Sequence, residues 1–171
     1  LSHPKDGAVN FGLSERGRKQ VKKSIAKNKL KELLDSNTII YSSDFLRAKE
    51  TAEIAGKLLD VKKINLHKNL RERYFGKFDK TSLENLKIIW EKDKIDANHK
   101  HRGVESPSKV LKRVIELMNR LEKKYKNKKI LLVSHGDVLQ ILQAYFNGKS
   151  PNQHREIPPL ETAEIRELNL W

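Results

Sequence analysis

At 171 residues the chain is long enough for one domain with a real hydrophobic core. It has no cysteine, which excludes disulfides and thiolate metal sites, and no apolar run approaches the roughly 20 residues needed to span a bilayer. A net charge of +14, on a chain that is 34% charged, draws polyanions of any kind, so phosphorylated metabolites and nucleic acid both have to be weighed.

In chain order, residues 1–12 are polar and rich in Gly, Pro and Asn, and read as a loop. Ser14 is placed to cap a helix that carries Val21, Ile25, Leu30, Leu33 and Leu34, irregular near Asn28. Residues 38–42 form a short apolar strand, with Asp44 as the expected N-cap of an Ala-rich helix running to about Leu59. A short strand at 64–66 leads to the segment LRERYFG. Residues 77–104 are lysine-rich and short of β-branched residues, and read as a small helical insertion. Ser106, with Pro107 in the first helical position, starts a long helix to about Lys126. A strand at 130–133 follows, then a helix over 137–146, a Pro-punctuated loop, and a last strand at 163–168. This alternation predicts an α/β fold: a three-layer α/β/α sandwich with a mostly parallel sheet, as one domain over 1–171.

Three segments carry candidate chemistry. KILLVSHGD (129–137) delivers His135 to the C-terminal end of a buried strand, beside Gly136, which leaves the backbone open where α/β sheets bind ligands. By itself His135 reads equally well as an ordinary residue opening a helix. Arg47 falls in the first turn of the helix after residues 38–42, where a helix N-terminus already favours anions and a guanidinium adds a bidentate phosphate partner. A solvated surface arginine is the plainer reading. Glu72, between Arg71 and Arg73, is either a surface salt-bridge cluster or a carboxyl held beside an anionic substrate. The pair His99 and His101 lacks a third ligand nearby and sits among cations, so it reads as solvated loop histidines, with no metal. Only 6% of residues are aromatic, none spaced for stacking bases, and the lysine excess follows solvated helix faces, so nucleic acid is the disfavoured partner.

Taken together, LSERGRKQ (13–20), YSSDFLRAKETAE (41–53), LRERYFG (70–76), ESPSKVLKR (105–113) and LLVSHGDVL (131–139) resemble, in order and over nearly the whole chain, the histidine phosphatases of the phosphoglycerate-mutase-like superfamily. The resemblance implies the corresponding α/β/α fold, a small phosphorylated substrate, and no cofactor or metal, while the lack of cysteine and of a long apolar run makes a cytoplasmic protein without membrane attachment the default expectation. It leaves the oligomeric state open. One departure stands out. The family's first strand ends in Arg-His-Gly, whose histidine is the phosphorylated nucleophile, and no Arg-His-Gly occurs here. His3 has no apolar strand before it and lies too near the LSERG block. The expectation is that this strand precedes Leu1, beside the strand of His135, and that the 171 residues by themselves are inactive.

The resemblance also implies the mechanism. Arg47, Gly136 and Arg73 would hold the phosphate, with protonated His135 stabilising the phosphoryl oxygens. Glu72 would protonate the leaving group and then activate water. Arg71 and Arg73 would depress the pKa of Glu72, while burial and the substrate dianion would raise it. The short 77–104 segment and the chain's end soon after its last expected strand favour a phosphatase over a mutase. A non-catalytic phospholigand- or RNA-binding protein is the alternative from another class.

Overall fold

The computed structural model describes residues 11–168. Its helices are α1 (Glu15–Leu30), α2 (Leu46–Leu59), α3 (Leu83–Ile95), α4 (Pro107–Lys124) and α5 (Gly136–Phe146). The strands are β1 (Ile39–Ser42), β2 (Ile64–Leu66) and β3 (Ile130–Val133), all parallel, in the order β2-β1-β3.

Alternation along the strands sorts the core into two layers, because successive side chains leave opposite faces of a sheet. Ile40 and Leu131 point to one face, against Val21 and Ile25 of α1 and Ala52, Ala55 and Leu59 of α2. Tyr41, with Ile39, Ile130 and Leu132, points to the other, against α4 (Val110, Val114, Leu117, Leu121) and α5 (Val138, Ile141, Leu142). Helices on both faces of a parallel sheet give the expected α/β/α sandwich. A smaller cluster, Phe75, Phe78, Ile89 and Val104, folds the 77–104 segment around α3 and ties it to the strand ends. Gly76 is the tight point there: its φ is +54°, and a Cβ would stand 2.4 Å from the carbonyl oxygen of Arg102.

Two helix starts form as the sequence predicts. The Ser14 hydroxyl accepts the Gly17 N–H at 3.1 Å, and that of Ser106 accepts the Lys109 N–H at 3.3 Å, with Pro107 leading the helix. A third does not. The residue before α2 is Phe45, without a side-chain cap, because the carboxylate of Asp44 is taken by Arg71 at 2.7 and 2.6 Å.

The expected last strand is also corrected. Residues 163–168 are irregular, and Arg166 there donates to the Pro158 and Pro159 carbonyls. A strand needs a ladder partner, and the nearest candidate edge is kept apart. β3 pairs only with β1 among the described residues. Two cavities, of about 570 and 370 Å³, are walled on one side by β3 and on another by 160–168. β1 pairs with both β2 and β3, so β2 and β3 are the outer strands of the sheet among the described residues. The loop expected at 1–12 lies almost wholly outside the described residues, as does His3.

Candidate active site

The C-terminal ends of β1 and β3 deliver the site. β1 runs into Ser42 and Ser43, both fully buried, and Arg47 follows in the first turn of α2. β3 runs into Ser134 and His135, the residue preceding α5. The turn after β2 brings in Glu72. Arg47, Glu72, His135 and Gly136 line one cavity, the one of about 370 Å³. A guanidinium nitrogen of Arg47 lies 4.0 Å from the Glu72 carboxylate. Nothing stands within 4 Å of where a Cβ on Gly136 would be, so an anion can approach the opening turn of α5 closely.

The surroundings set the protonation states. Burial pushes the Glu72 carboxyl up to about 7, and the negative charge of Asp137 adds to this. The backbone N–H of Arg73, donating to Glu72 at 2.9 Å, and the charges of Arg47 and Arg113 only partly offset it. The carboxyl is therefore poised near neutrality to give and take a proton. The two flanking arginines, expected to contend with burial, do not hold it down. Arg71 is committed to Asp44, and Arg73 turns the other way.

His135 is buried, and its Nε2 shares a hydrogen bond of 2.9 Å with the Ser43 hydroxyl. Burial, then the charges of Arg47 and Arg113, pull its pKa well below 6.5. These causes favour the neutral ring, whereas the protonated form expected of His135 is that of the anion-bound site. Phe45 packs edge-on to it at 5.4 Å and carries the guanidinium groups of Arg47 and Arg71 at 5.7 and 5.6 Å from its ring centre.

The expectation for Arg73 as a phosphate ligand is corrected. Its side chain is wholly buried and spends its donors elsewhere: two on Asp93 at 2.7 Å, one on the Glu105 carbonyl at 2.7 Å, and a longer one on Asp137 at 3.3 Å. Sequence adjacency to Glu72 says nothing of direction, and successive residues of an extended segment point apart. His99 is also not a solvated loop residue. It accepts the His101 N–H on Nδ1, so Nε2 carries the proton and donates to Asp93 at 2.6 Å. His101 lies against Phe78, ring centres 5.9 Å apart.

Residues that sequence reasoning passed over include Ser43, Asp137 and Arg113. Arg113 holds Glu105 through two bonds, at 2.9 and 3.0 Å, and reaches the Asn69 carbonyl. It sits nearly two turns into α4 and more than 40 residues from Asn69, so only the fold could bring them together. The duplicated serine of YSSD was a visible signal for Ser43.

Comparison with known proteins identifies the family. The family model of the histidine phosphatase superfamily (branch 1) matches residues 3–171. Phosphoglycerate mutase-like protein 4 of Arabidopsis thaliana is 31% identical over 80% of this chain and 60% of its own length. The uncharacterized phosphatase PhoE of Bacillus subtilis is 27% identical over 66% of this chain and 55% of its own. The chain thus matches 60% and 55% of the lengths of these two relatives. A mycobacterial glucosyl-3-phosphoglycerate phosphatase has a similar fold, with a TM-score of 0.74 and 23% identity over 92% of this chain and 79% of that one. So has Bacillus stearothermophilus YhfR, with a TM-score of 0.72 and 24% identity over 88% and 75%. The chain belongs to the histidine phosphatase superfamily.

Proposed function

We propose that this protein is a phosphatase that hydrolyses a small phosphate monoester through a phosphohistidine, with Arg47, His135 and Gly136 holding the phosphoryl group and Glu72 as general acid and base. The observation that carries this is the convergence of Arg47, His135 and a carboxyl raised to about 7 on one cavity at the strand ends. A monoester is a dianion and needs cations out of water, and its leaving alkoxide needs a proton. Both are supplied within that cavity.

In this reading the nucleophile is the histidine of the family's Arg-His-Gly strand, a motif that these 171 residues do not contain. Its imidazole nitrogen attacks phosphorus as the bond to the leaving oxygen breaks, and Glu72 gives that oxygen its proton. Water then attacks the phosphohistidine, passes a proton to the Glu72 carboxylate, and the P–N bond breaks to release phosphate. Hydrolysis is favoured over a mutase reaction because the 77–104 segment contributes one 13-residue helix and short turns. It leaves a basin of about 760 Å³ beside Glu72, by which water can reach the phosphoryl group.

The test uses protein that includes the codons upstream of Leu1. Glu72→Gln should slow alkyl phosphates by about 10²–10⁴-fold and p-nitrophenyl phosphate far less, because nitrophenolate leaves without help. Wild-type turnover of alkyl phosphates should fall on the alkaline side as Glu72 loses its proton around pH 7. Equal losses on both substrates would remove Glu72 from the acid role. An upstream sequence without a histidine-bearing strand would sink the phosphohistidine.

A further inference from the structure

β1 and β3 end in register: Ser42 pairs with Val133, and the Ser43 N–H donates to the Val133 carbonyl at 2.9 Å. That bond sets Ser43 beside the residues leading into His135, and the serine hydroxyl and His135 Nε2 meet at 2.9 Å. The spacing is that of a nucleophile and its base. Ser43 is wholly buried, though, and lines neither the cavity with Arg47 and His135 nor the basin beside Glu72. Its hydroxyl stands behind the imidazole, out of reach of a substrate. A serine so placed acts on the ring.

The hydrogen bonds fix what it does there. The Phe45 N–H donates to Ser43 Oγ at 3.2 Å, which leaves the hydroxyl its own proton to place. His135 Nε2 is the acceptor within reach among the described residues. A ring nitrogen that accepts carries no proton, so in the neutral ring favoured by burial the proton sits on Nδ1. Among the described residues, the sealed polar atoms without a partner belong to Trp90, His154 and Arg155. Nδ1 of His135 has no partner there and is not one of them, so it opens on the cavity that His135 lines with Arg47, Glu72 and Gly136. Phe45, edge-on to the imidazole at 5.4 Å, holds the plane of the ring. The other tautomer would turn a lone pair toward an arriving anion.

We propose that Ser43 is a positioning residue: by donating to Nε2 of His135 it holds the imidazole proton on Nδ1, where it faces the cavity as the hydrogen-bond donor to an anion. The inference rests on the phosphatase reading for that anion being a phosphoryl group, while the tautomer itself does not depend on it. A hydroxyl suits the place because it both donates and accepts. When a bound anion brings a second proton to the ring, Ser43 turns to accept from Nε2 and the Nδ1–H contact is kept. A carboxylate in the same place would hold the proton on Nε2 and leave Nδ1 bare, which is the arrangement of a general base. The serine makes the opposite, a donor.

Two-bond ¹H–¹⁵N spectra of the histidine rings in the full-length protein at pH 8 read the tautomer directly, with the His135 signals identified by their loss in His135→Ala. Wild type should show a protonated Nδ1 and a bare Nε2, and Ser43→Ala should lose that pattern. Sulfate affinity, measured by calorimetry, should fall about tenfold or more in Ser43→Ala, the scale of a hydrogen bond to a charged group. Ser43 also holds the Phe45 N–H, so a purely structural loss is separated by a double-mutant cycle. In the His135→Ala background, Ser43→Ala should cost sulfate no further affinity if it acts through the ring, and as much as before if it only supports the start of α2. A wild-type ring protonated on Nε2, a Ser43→Ala ring that keeps its Nδ1 proton, or equal losses in the two backgrounds overturns the proposal. Turnover of p-nitrophenyl phosphate reads the phosphatase assignment separately. The expected tautomer without turnover removes the phosphatase alone, turnover with the other tautomer removes the role of Ser43 alone, and a wild type that binds no sulfate removes both.

Discussion

Glu72 and Arg73 are neighbours in sequence and belong to two buried ionic clusters of opposite character. On the Arg73 side the charges are closed on one another. Asp93 receives two bonds from Arg73 and one from His99, Asp137 is shared by Arg73 and Arg155, and Arg155 also lies over the Trp90 ring at 3.7 Å. Burial alone would raise the Asp93 carboxyl, but Arg73 and His99 more than offset it and hold it below the usual range. On the Glu72 side the contacts are longer: the carboxyl stands 4.0 Å from Arg47, its pKa is raised, and that of His135 is pulled down by burial and the neighbouring arginines. Two clusters one peptide bond apart thus divide the work. One spends its charges on joining α3, α5 and the turn at Pro151–Glu156, and the other lines the cavity at the strand ends.

The comparison breaks most visibly at Arg73. Arg73→Met removes the cation that satisfies Asp93 and leaves a buried carboxylate short of partners, which typically costs about 3–5 kcal/mol. Urea denaturation at pH 7 should show a loss of that size. A companion Asp93→Leu in the same background should recover much of it, because a buried pair replaced by apolar groups is far less costly than one left half-made. A loss under about 1 kcal/mol for Arg73→Met would mean that water satisfies Asp93 and that the cluster is not closed.

The same comparison shows where sequence reading succeeded and where it stopped. His135, Arg47 and Glu72 were legible because each follows a short apolar strand or turn with a distinctive local pattern, and strand ends gather on one edge of a parallel sheet. Arg73, Asp93 and His99 were not legible. The partners of Arg73 lie 20 and 64 residues away, and nothing in LRERYFG says which of its charges faces inward. Asp44 had the right position for a cap and lost it to Arg71, a contact across 27 residues. The expected strand at 163–168 had a suitable pattern, but strand pairing is a property of the neighbour as much as of the segment.

Removing a charge on the other side should have the opposite sign. The Glu72 carboxyl has a pKa near 7 in the fold and an ordinary value near 4.5 when unfolded. Below pH 4.5 it is protonated in both states and its ionisation does not affect stability. Between 4.5 and 7 the unfolded chain ionises while the fold keeps its proton, so stability is lost as pH rises through that window. Glu72→Gln keeps an acceptor for the Arg73 N–H and has nothing to ionise. It should match wild type near pH 4 and be more stable above pH 7.5, by up to about 3 kcal/mol. Denaturation curves at the two pH values provide the check. A variant equal to wild type at both would show that solvent already relieves the burial of Glu72.

The smallest effect, and the most diagnostic of the open cluster, is a proton count. At pH 7 the His135 ring is neutral, held so by burial and by Arg47 and Arg113. A tetrahedral dianion between these groups cancels the field of the arginines and favours the imidazolium, so binding should draw a proton onto His135. Glu72, half protonated at that pH, should take up the remaining fraction for the same reason. Sulfate is the suitable probe because its own charge is fixed across the range. Titration calorimetry in buffers of different ionisation enthalpy should register uptake of about one to one and a half protons in wild type. Glu72→Gln should retain about one, and His135→Gln should lose that one. Uptake means that affinity falls as pH rises, so sulfate should bind more weakly at pH 8 than at pH 6. Binding with no proton exchanged would show that His135 meets the anion as a neutral donor. The ring would then contribute an ordinary hydrogen bond, and Arg47 would be left as the cavity's principal charge against the phosphoryl group.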